Sequence, residues 1–142
     1  MHNEPLVLER TYNAAIEKVW QALTDHEQLQ QWYFDMPEFK AEVGFEFRFT
    51  GTSEGQVYQH KCTITQLVPG KKLAYTWLYE GYEGHSEVTF ELFDEGNKTR
   101  LKLTHTGLET FPTTKKFARE GFATGWAGIL DASLKEFVEH KA

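Results

Sequence analysis

Between Phe45 and His105, apolar and polar residues alternate in segment after segment, and each segment stops at a turn-forming cluster. Phe45, Phe47 and Phe49 alternate with Glu46, Arg48 and Thr50 up to an expected loop over 51–55. An extended stretch from Val57 to Val68 closes at Pro69-Gly70, a pair suited to the central positions of a type II turn. Leu73, Tyr75, Trp77 and Tyr79 share one parity, as do Ser86, Val88, Phe90 and Leu92, and then Leu101, Leu103 and His105. A period of two puts each such set on one face of a strand. The connections are too short for parallel crossovers, so the strands are expected to pair as antiparallel neighbours. Such a sheet has one apolar face, and something must cover it.

Thr113 to His140 is the expected cover. It contains no proline, and Phe122, Trp126, Ile129, Leu130, Ser133, Leu134 and Phe137 form a helical stripe. Beside it runs a stripe of small residues, Ala118, Gly121, Gly125, Gly128 and Ala132. Each helical glycine costs about 1 kcal/mol relative to alanine. The small stripe therefore reads either as a poor or kinked helix, or as a face for close approach to the sheet or for a guest.

The N-terminal part adds a strand near Leu6–Thr11 and a helix with Ile16, Val19, Trp20 and Leu23 on one face, capped by Asn13. Asp25 and Gln28 resemble a capping box for a second short helix ending near Trp32. Phe39, Ala41 and Val43 alternate before Gly44, bringing the expected total to about seven strands. The reading is a single α+β domain over residues 1–142, with the sheet curling around the last helix.

Charge narrows the partners. A net charge of −6 with no lysine or arginine run argues against nucleic acid and anionic membrane surfaces. The lone Cys62 suits a reducing compartment, and no stretch resembles a signal peptide or reaches transmembrane length. A cytoplasmic location is the expectation.

Six histidines invite a metal reading, with His60, His85 and His105 on three expected strands, but no metal-binding spacing accompanies them. No metal or cofactor is expected. Cys62 reads as a small buried residue, and Glu80, Glu83 and Glu87 as solvated loop charge. What remains is an aromatic wall, in a chain with 15% aromatic residues. Trp32, Phe47, Phe49, Tyr75, Trp77, His105, Phe122 and Trp126 are the candidate lining of an apolar pocket. His105 ends an apolar strand face, where an imidazole is either a hydrogen-bonded core residue or a group that orients a guest.

The segment Ala14-Ala15-Ile16-Glu17-Lys18-Val19-Trp20-Gln21-Ala22-Leu23-Thr24-Asp25, followed by Trp32, resembles the N-terminal signature of the activator of heat-shock-protein-90 ATPase family. That family lies within the START-like (SRPBCC) superfamily. Val43-Gly44-Phe45, Tyr75-Thr76-Trp77, Ser86-Glu87-Val88-Thr89 and the run Thr99 to Gly107 match in order, as does Gly125-Trp126 with Leu130 and Leu134. Alanine stands at 15 where the family usually has proline. The resemblance implies a helix-grip fold, a curved sheet around a long C-terminal helix. It also implies a small hydrophobic ligand in the space between them, with a chaperone partner or a cyclase-like or hydrolase-like activity as alternatives. In the enzymatic alternative His105 or Tyr75 is the acid–base group. Oligomeric state is left open.

Overall fold

The computed structural model describes residues 4–34, 36–53, 56–111 and 119–141. Strand β1 (Leu6–Tyr12) leads into two short helices, α1 (Ile16–Thr24) and α2 (His26–Trp32). Five strands follow: β2 (Glu46–Ser53), β3 (Gln56–Val68), β4 (Lys72–Tyr79), β5 (Ser86–Asp94) and β6 (Thr99–Thr106). A 3-10 turn (Leu108–Thr110) follows β6, and the C-terminal helix comes after it in the chain. All strand pairs are antiparallel, in the order β1-β6-β5-β4-β3-β2. The two short helices thus carry the chain from one edge of the sheet to the other.

The alternation works as read. On β5, Ser86, Val88, Phe90 and Leu92 are buried while the residues between them reach solvent, and β6 repeats this with Thr99, Leu101, Leu103 and His105. At the β3–β4 turn, the Lys71 N–H donates to the Val68 carbonyl at 2.9 Å, and Gly70 supplies the positive φ of 76° that a type II turn requires.

The sheet has six strands, not seven. The alternating Phe39, Ala41 and Val43 do not form a strand, because tight turns consume the backbone that a ladder would need. Glu42 N–H donates to the Lys40 carbonyl and Phe45 N–H to the Glu42 carbonyl, while Gly44 turns at φ 93°. Phe39 packs edge-on to Phe47 at 5.0 Å and covers the core, while Val43 is left 63% exposed. The expected loop over 51–55 also begins late, since Gly51 pairs with Tyr58 and β2 continues to Ser53.

Two capping expectations part ways. Asp25 caps α2 by accepting from the Gln28 N–H, but the reciprocal arm is missing, and the buried Gln28 Oε1 has no partner among the described residues. Asn13 does not cap α1. The cap position falls to Ala15, and the Asn13 N–H instead donates to Glu139 of the C-terminal helix at 2.9 Å.

The C-terminal helix begins as α3 (Arg119–Gly128) and runs on into π-helical segments at Ile129–Leu134 and Phe137–Lys141. Residues 113–118 of the expected helix lie outside the described residues. The widening has a reason in the sequence. Phe122, Trp126, Leu130, Leu134 and Val138 recur every four residues. In an α-helix such a row drifts about 40° per step and soon leaves the core. Turns closed by i→i+5 bonds are wider, so the row drifts the other way in them and the two kinds of turn offset each other. Leu130, Leu134 and Val138 are accordingly 0% exposed, Trp126 is buried and Phe122 half-buried. Val138 therefore joins the stripe, and Ser133, expected on it, is turned out to solvent. The Leu130 carbonyl accepts from the buried Tyr12 hydroxyl of β1 at 2.9 Å, and Arg10 of β1 pairs with Asp131.

The small-residue stripe has neither of its expected jobs. Gly121, Gly125, Gly128 and Ala132 are exposed, and a Cβ built on any of the three glycines meets no atom within 4 Å beyond the adjoining helix backbone and chain neighbours. Ala118 lies outside the described residues. The stripe faces away from the sheet because the four-residue apolar row claims the inner face. Replacing all three glycines with alanine is therefore expected to stabilise the protein. At about 0.4–1 kcal/mol per site, thermal unfolding should rise by roughly 4–9 °C. An unchanged or lowered midpoint would mean that the stripe is needed as glycine.

Candidate functional site

The apolar sheet face and the inner face of the C-terminal helix meet in a continuous cluster of rings. From β2, Phe47 lies edge-on to Tyr75 at 5.1 Å and Phe49 edge-on to Trp77 at 5.6 Å. From β4, Trp77 meets Trp126 of the helix at 5.2 Å and His105 of β6 at 5.8 Å. Phe122 lies edge-on to His105 at 5.4 Å and stacks on Phe111 at 5.8 Å. The sheet thus supplies one wall and the helix the other, as offset and edge-to-face ring packing favours.

Polar atoms thread this cluster. His105 is 0% exposed, and both its nitrogens are used. The Ser86 hydroxyl donates to the Trp77 carbonyl at 2.9 Å, so toward His105 Nε2, 2.8 Å away, it acts as acceptor. That fixes the proton on Nε2, and Nδ1 then accepts from Trp126 Nε1–H at 3.0 Å. Burial pushes the imidazole down to a pKa of about 3, so it is neutral at pH 7. The Ser86–His105 contact therefore runs the wrong way for a base activating a nucleophile.

At the end of α2, the Tyr33 hydroxyl bonds that of Tyr75 at 2.9 Å. Burial pushes both phenols well above their ordinary pKa. Trp77 Nε1–H donates to the Tyr79 hydroxyl at 2.9 Å, and burial pushes the Tyr79 phenol up to about 12.

His60 of β3 is the unsatisfied member. It is 6% exposed, and its Nδ1 has no hydrogen-bond partner among the described residues. Phe49 stacks on it at 4.5 Å, with Trp77 at 4.9 Å, Tyr79 at 4.8 Å and Phe34 at 5.8 Å around it. Burial lowers its pKa to about 4, and the backbone of Phe49 and Tyr58 offsets part of that by favouring the charged form. Gly51 makes room for the ring, since a Cβ there would lie 2.6 Å from His60 Cε1. Gly51→Ala is expected to push the imidazole off Phe49, which nuclear magnetic resonance would register as changed ring-current shifts of the His60 protons.

Of the eight sequence-based candidates, Phe47, Phe49, Tyr75, Trp77, His105, Phe122 and Trp126 fall in one connected cluster. Trp32 meets it through Tyr33 at 5.0 Å, and its indole donates to the Ala22 carbonyl. It also lines an open groove of about 310 Å³ between α2 and the C-terminal helix, with Gln31, Ala132, Ser133, Glu136 and Phe137. Tyr33, Phe34, His60 and Ser86 were not among the candidates. His60 had a signal, because Tyr58, His60, Cys62 and Ile64 share one parity on β3 and all four are buried. Tyr33 and Phe34 had none, since they follow α2 where no period applies.

The three histidines do not converge. His85 is an exposed residue just before β5, and among the described residues no group of three His, Cys, Asp or Glu is placed to hold a metal. Cys62 is fully buried, and burial raises its thiol well above the ordinary value. Glu80 pairs with Arg48, and Glu87 accepts from Thr65.

An antiparallel sheet holding a long C-terminal helix, with two short helices after the first strand, is the helix-grip fold of START-like (SRPBCC) proteins. The family model described as "Activator of Hsp90 ATPase homolog 1-like protein" matches residues 13–139, and the chain belongs to that family. A Chromobacterium violaceum protein of known structure is 25% identical, with a TM-score of 0.83 over 98% of this chain and 99% of that one. A Bacillus halodurans protein is 28% identical, with a TM-score of 0.75 over 96% and 97% of the two chains. The Aha1 dimer from Colwellia psychrerythraea is 25% identical, with a TM-score of 0.73 over 97% and 98%. No curated protein matches the chain. Among the described residues, no helix is long and apolar enough to cross a membrane.

Proposed function

We propose that the protein binds a small hydrophobic molecule between the sheet and the C-terminal helix. The observation that carries this reading is an interior walled by aromatic rings that still holds unspent polar capacity. Two hydroxyls of the Tyr33–Tyr75 pair share one hydrogen bond, which leaves one proton to donate, and His60 Nδ1 is unpartnered. A core built only for stability satisfies its buried polar atoms. A ligand site has reason to keep a few in reserve to orient a guest. Trp77 and Trp126 stand 5.2 Å apart within the cluster and would report occupancy. Titration with apolar ligands is expected to quench or shift tryptophan emission, and native mass spectrometry of protein purified from its source should show an added mass. Unchanged emission across a broad set of apolar ligands, together with a mass equal to the chain alone, would overturn the reading.

Family membership favours a second reading, a module that binds a heat-shock-protein-90-type chaperone and stimulates its ATPase. The family relative from Colwellia is described as a dimer, so a contact between copies belongs to the same reading. Chaperone ATPase assayed with increasing protein is the test, and no stimulation at saturation counts against it. The cyclase-like or hydrolase-like alternative draws no support from the geometry. His105 has both nitrogens engaged, and Tyr75 bonds Tyr33 with its phenol raised far above neutral pH.

A further inference from the structure

The geometry points to His60 as the polar anchor of the guest, and to Phe34 as a built-in plug that a flat aromatic ring bearing a hydroxyl displaces. This inference rests on the ligand-binding reading and names the ligand class. Phe49 presents its ring to two neighbours at once. Phe34 stacks on it at 4.3 Å with the planes 17° apart, and His60 stacks on it at 4.5 Å with the planes 15° apart. Phe34 comes from neither the sheet nor the helices, but from the segment after α2, and it is only half-buried. A ring in that position does what a bound aromatic ring would do. It covers Phe49, reaches to 5.8 Å from the imidazole, and packs edge-on to Tyr33 at 4.6 Å.

The Phe34 side chain takes no part in the nearest backbone anchor. Two residues on, the Met36 carbonyl is held by His26 Nε2 at 2.7 Å and by Gln30 Nε2–H at 3.3 Å, and Met36 is 0% exposed. A side-chain swing at Phe34 alone would uncover Phe49. Rotamer changes of partly exposed side chains are fast, on the scale of picoseconds to nanoseconds.

What the guest must carry follows from His60. Its Nδ1 is buried with no partner among the described residues, in a ring wrapped by four aromatic side chains. A purely apolar guest would leave that nitrogen unpaired, and a cation would meet no carboxylate among these neighbours. A hydroxyl both donates and accepts, so it satisfies Nδ1 whichever imidazole nitrogen carries the proton.

Calorimetric titration with 2-naphthol and with naphthalene separates the outcomes. Wild type is expected to bind 2-naphthol about tenfold more tightly than naphthalene, the size of one neutral hydrogen bond. Phe34→Ala should bind both more tightly and keep the ratio, and His60→Phe should bring the ratio close to one. In wild type, 2-naphthol but not naphthalene should shift the ¹⁵N resonance of His60 Nδ1, a readout that needs no variant. If both compounds bind wild type equally and the resonance stays put, the anchor is overturned while the apolar-guest reading stands. If neither binds wild type or Phe34→Ala, the plug and the ligand class are overturned, while the apolar-guest reading is decided by the broader titration and the native mass.

Discussion

Lowering the pH from 7 to 4 is expected to remove a large part of this protein's stability, and two buried histidines are the cause. Burial lowers His60 to about 4 and His105 to about 3, against an ordinary value of 6.5 for both. With the folded-state values depressed, the unfolded chain binds more protons over this range. The stabilisation is therefore fully present above pH 6.5 and is lost as pH falls toward the folded-state values. Two such groups give a slope of up to about 2.7 kcal/mol per pH unit and a loss of roughly 6 kcal/mol by pH 4. A domain of this kind has about 5–15 kcal/mol in total. Denaturant unfolding followed by tryptophan fluorescence at pH 7, 5.5 and 4.5 should show the midpoint falling steeply. In His60→Phe the acid transition should move to lower pH, because one of the two proton sinks is gone. A midpoint constant between pH 7 and 4.5 would show that neither imidazole is buried as described.

Most of the fold could be read from residue order alone, and the exceptions share a physical cause. Strands β3 to β6 follow from parity, because a half-buried strand writes its burial into every second residue. Phe39–Val43 carries the same parity and is not a strand, since hydrogen bonds among residues 40 to 45 close turns that parity does not register. The C-terminal helix was legible as a helix but not in its pitch. Helical bookkeeping at 3.6 residues per turn put Ser133 on the apolar stripe, whereas the four-residue row from Phe122 to Val138 requires a wider turn. The glycines are where periodicity says least. A small residue at helical spacing says that no side chain is there, and nothing about whether sheet or solvent lies beyond it. At the candidate site, the residues on strands and helix were legible because they are large and inward by period. Tyr33 and Phe34 were not, because they complete the cluster from an irregular segment, where no period marks which side chains turn inward.

The chain of bonds from Ser86 through His105 to Trp126 should make Trp126 among the most sensitive positions in the protein. Trp126 is 3% exposed and packs on Trp77, Phe90 and His105. Trp126→Ala removes that packing and is expected to cost about 3–5 kcal/mol. Trp126→Phe keeps much of the ring but deletes the Nε1–H that His105 Nδ1 accepts. The imidazole cannot compensate by turning over, because Nε2–H is committed to Ser86, whose own proton goes to the Trp77 carbonyl. An orphaned buried acceptor costs about 1–3 kcal/mol. His105→Leu removes that acceptor, so in its background the further step Trp126→Phe should lose much of this penalty and show a coupling of about 1 kcal/mol or more. Denaturant unfolding of the four proteins at pH 7 closes the cycle. If the two changes add, the indole and the imidazole are merely neighbours in a packed core. If they couple, one interior hydrogen-bond chain ties β5, β6 and the C-terminal helix together and sets which face of that helix the sheet holds.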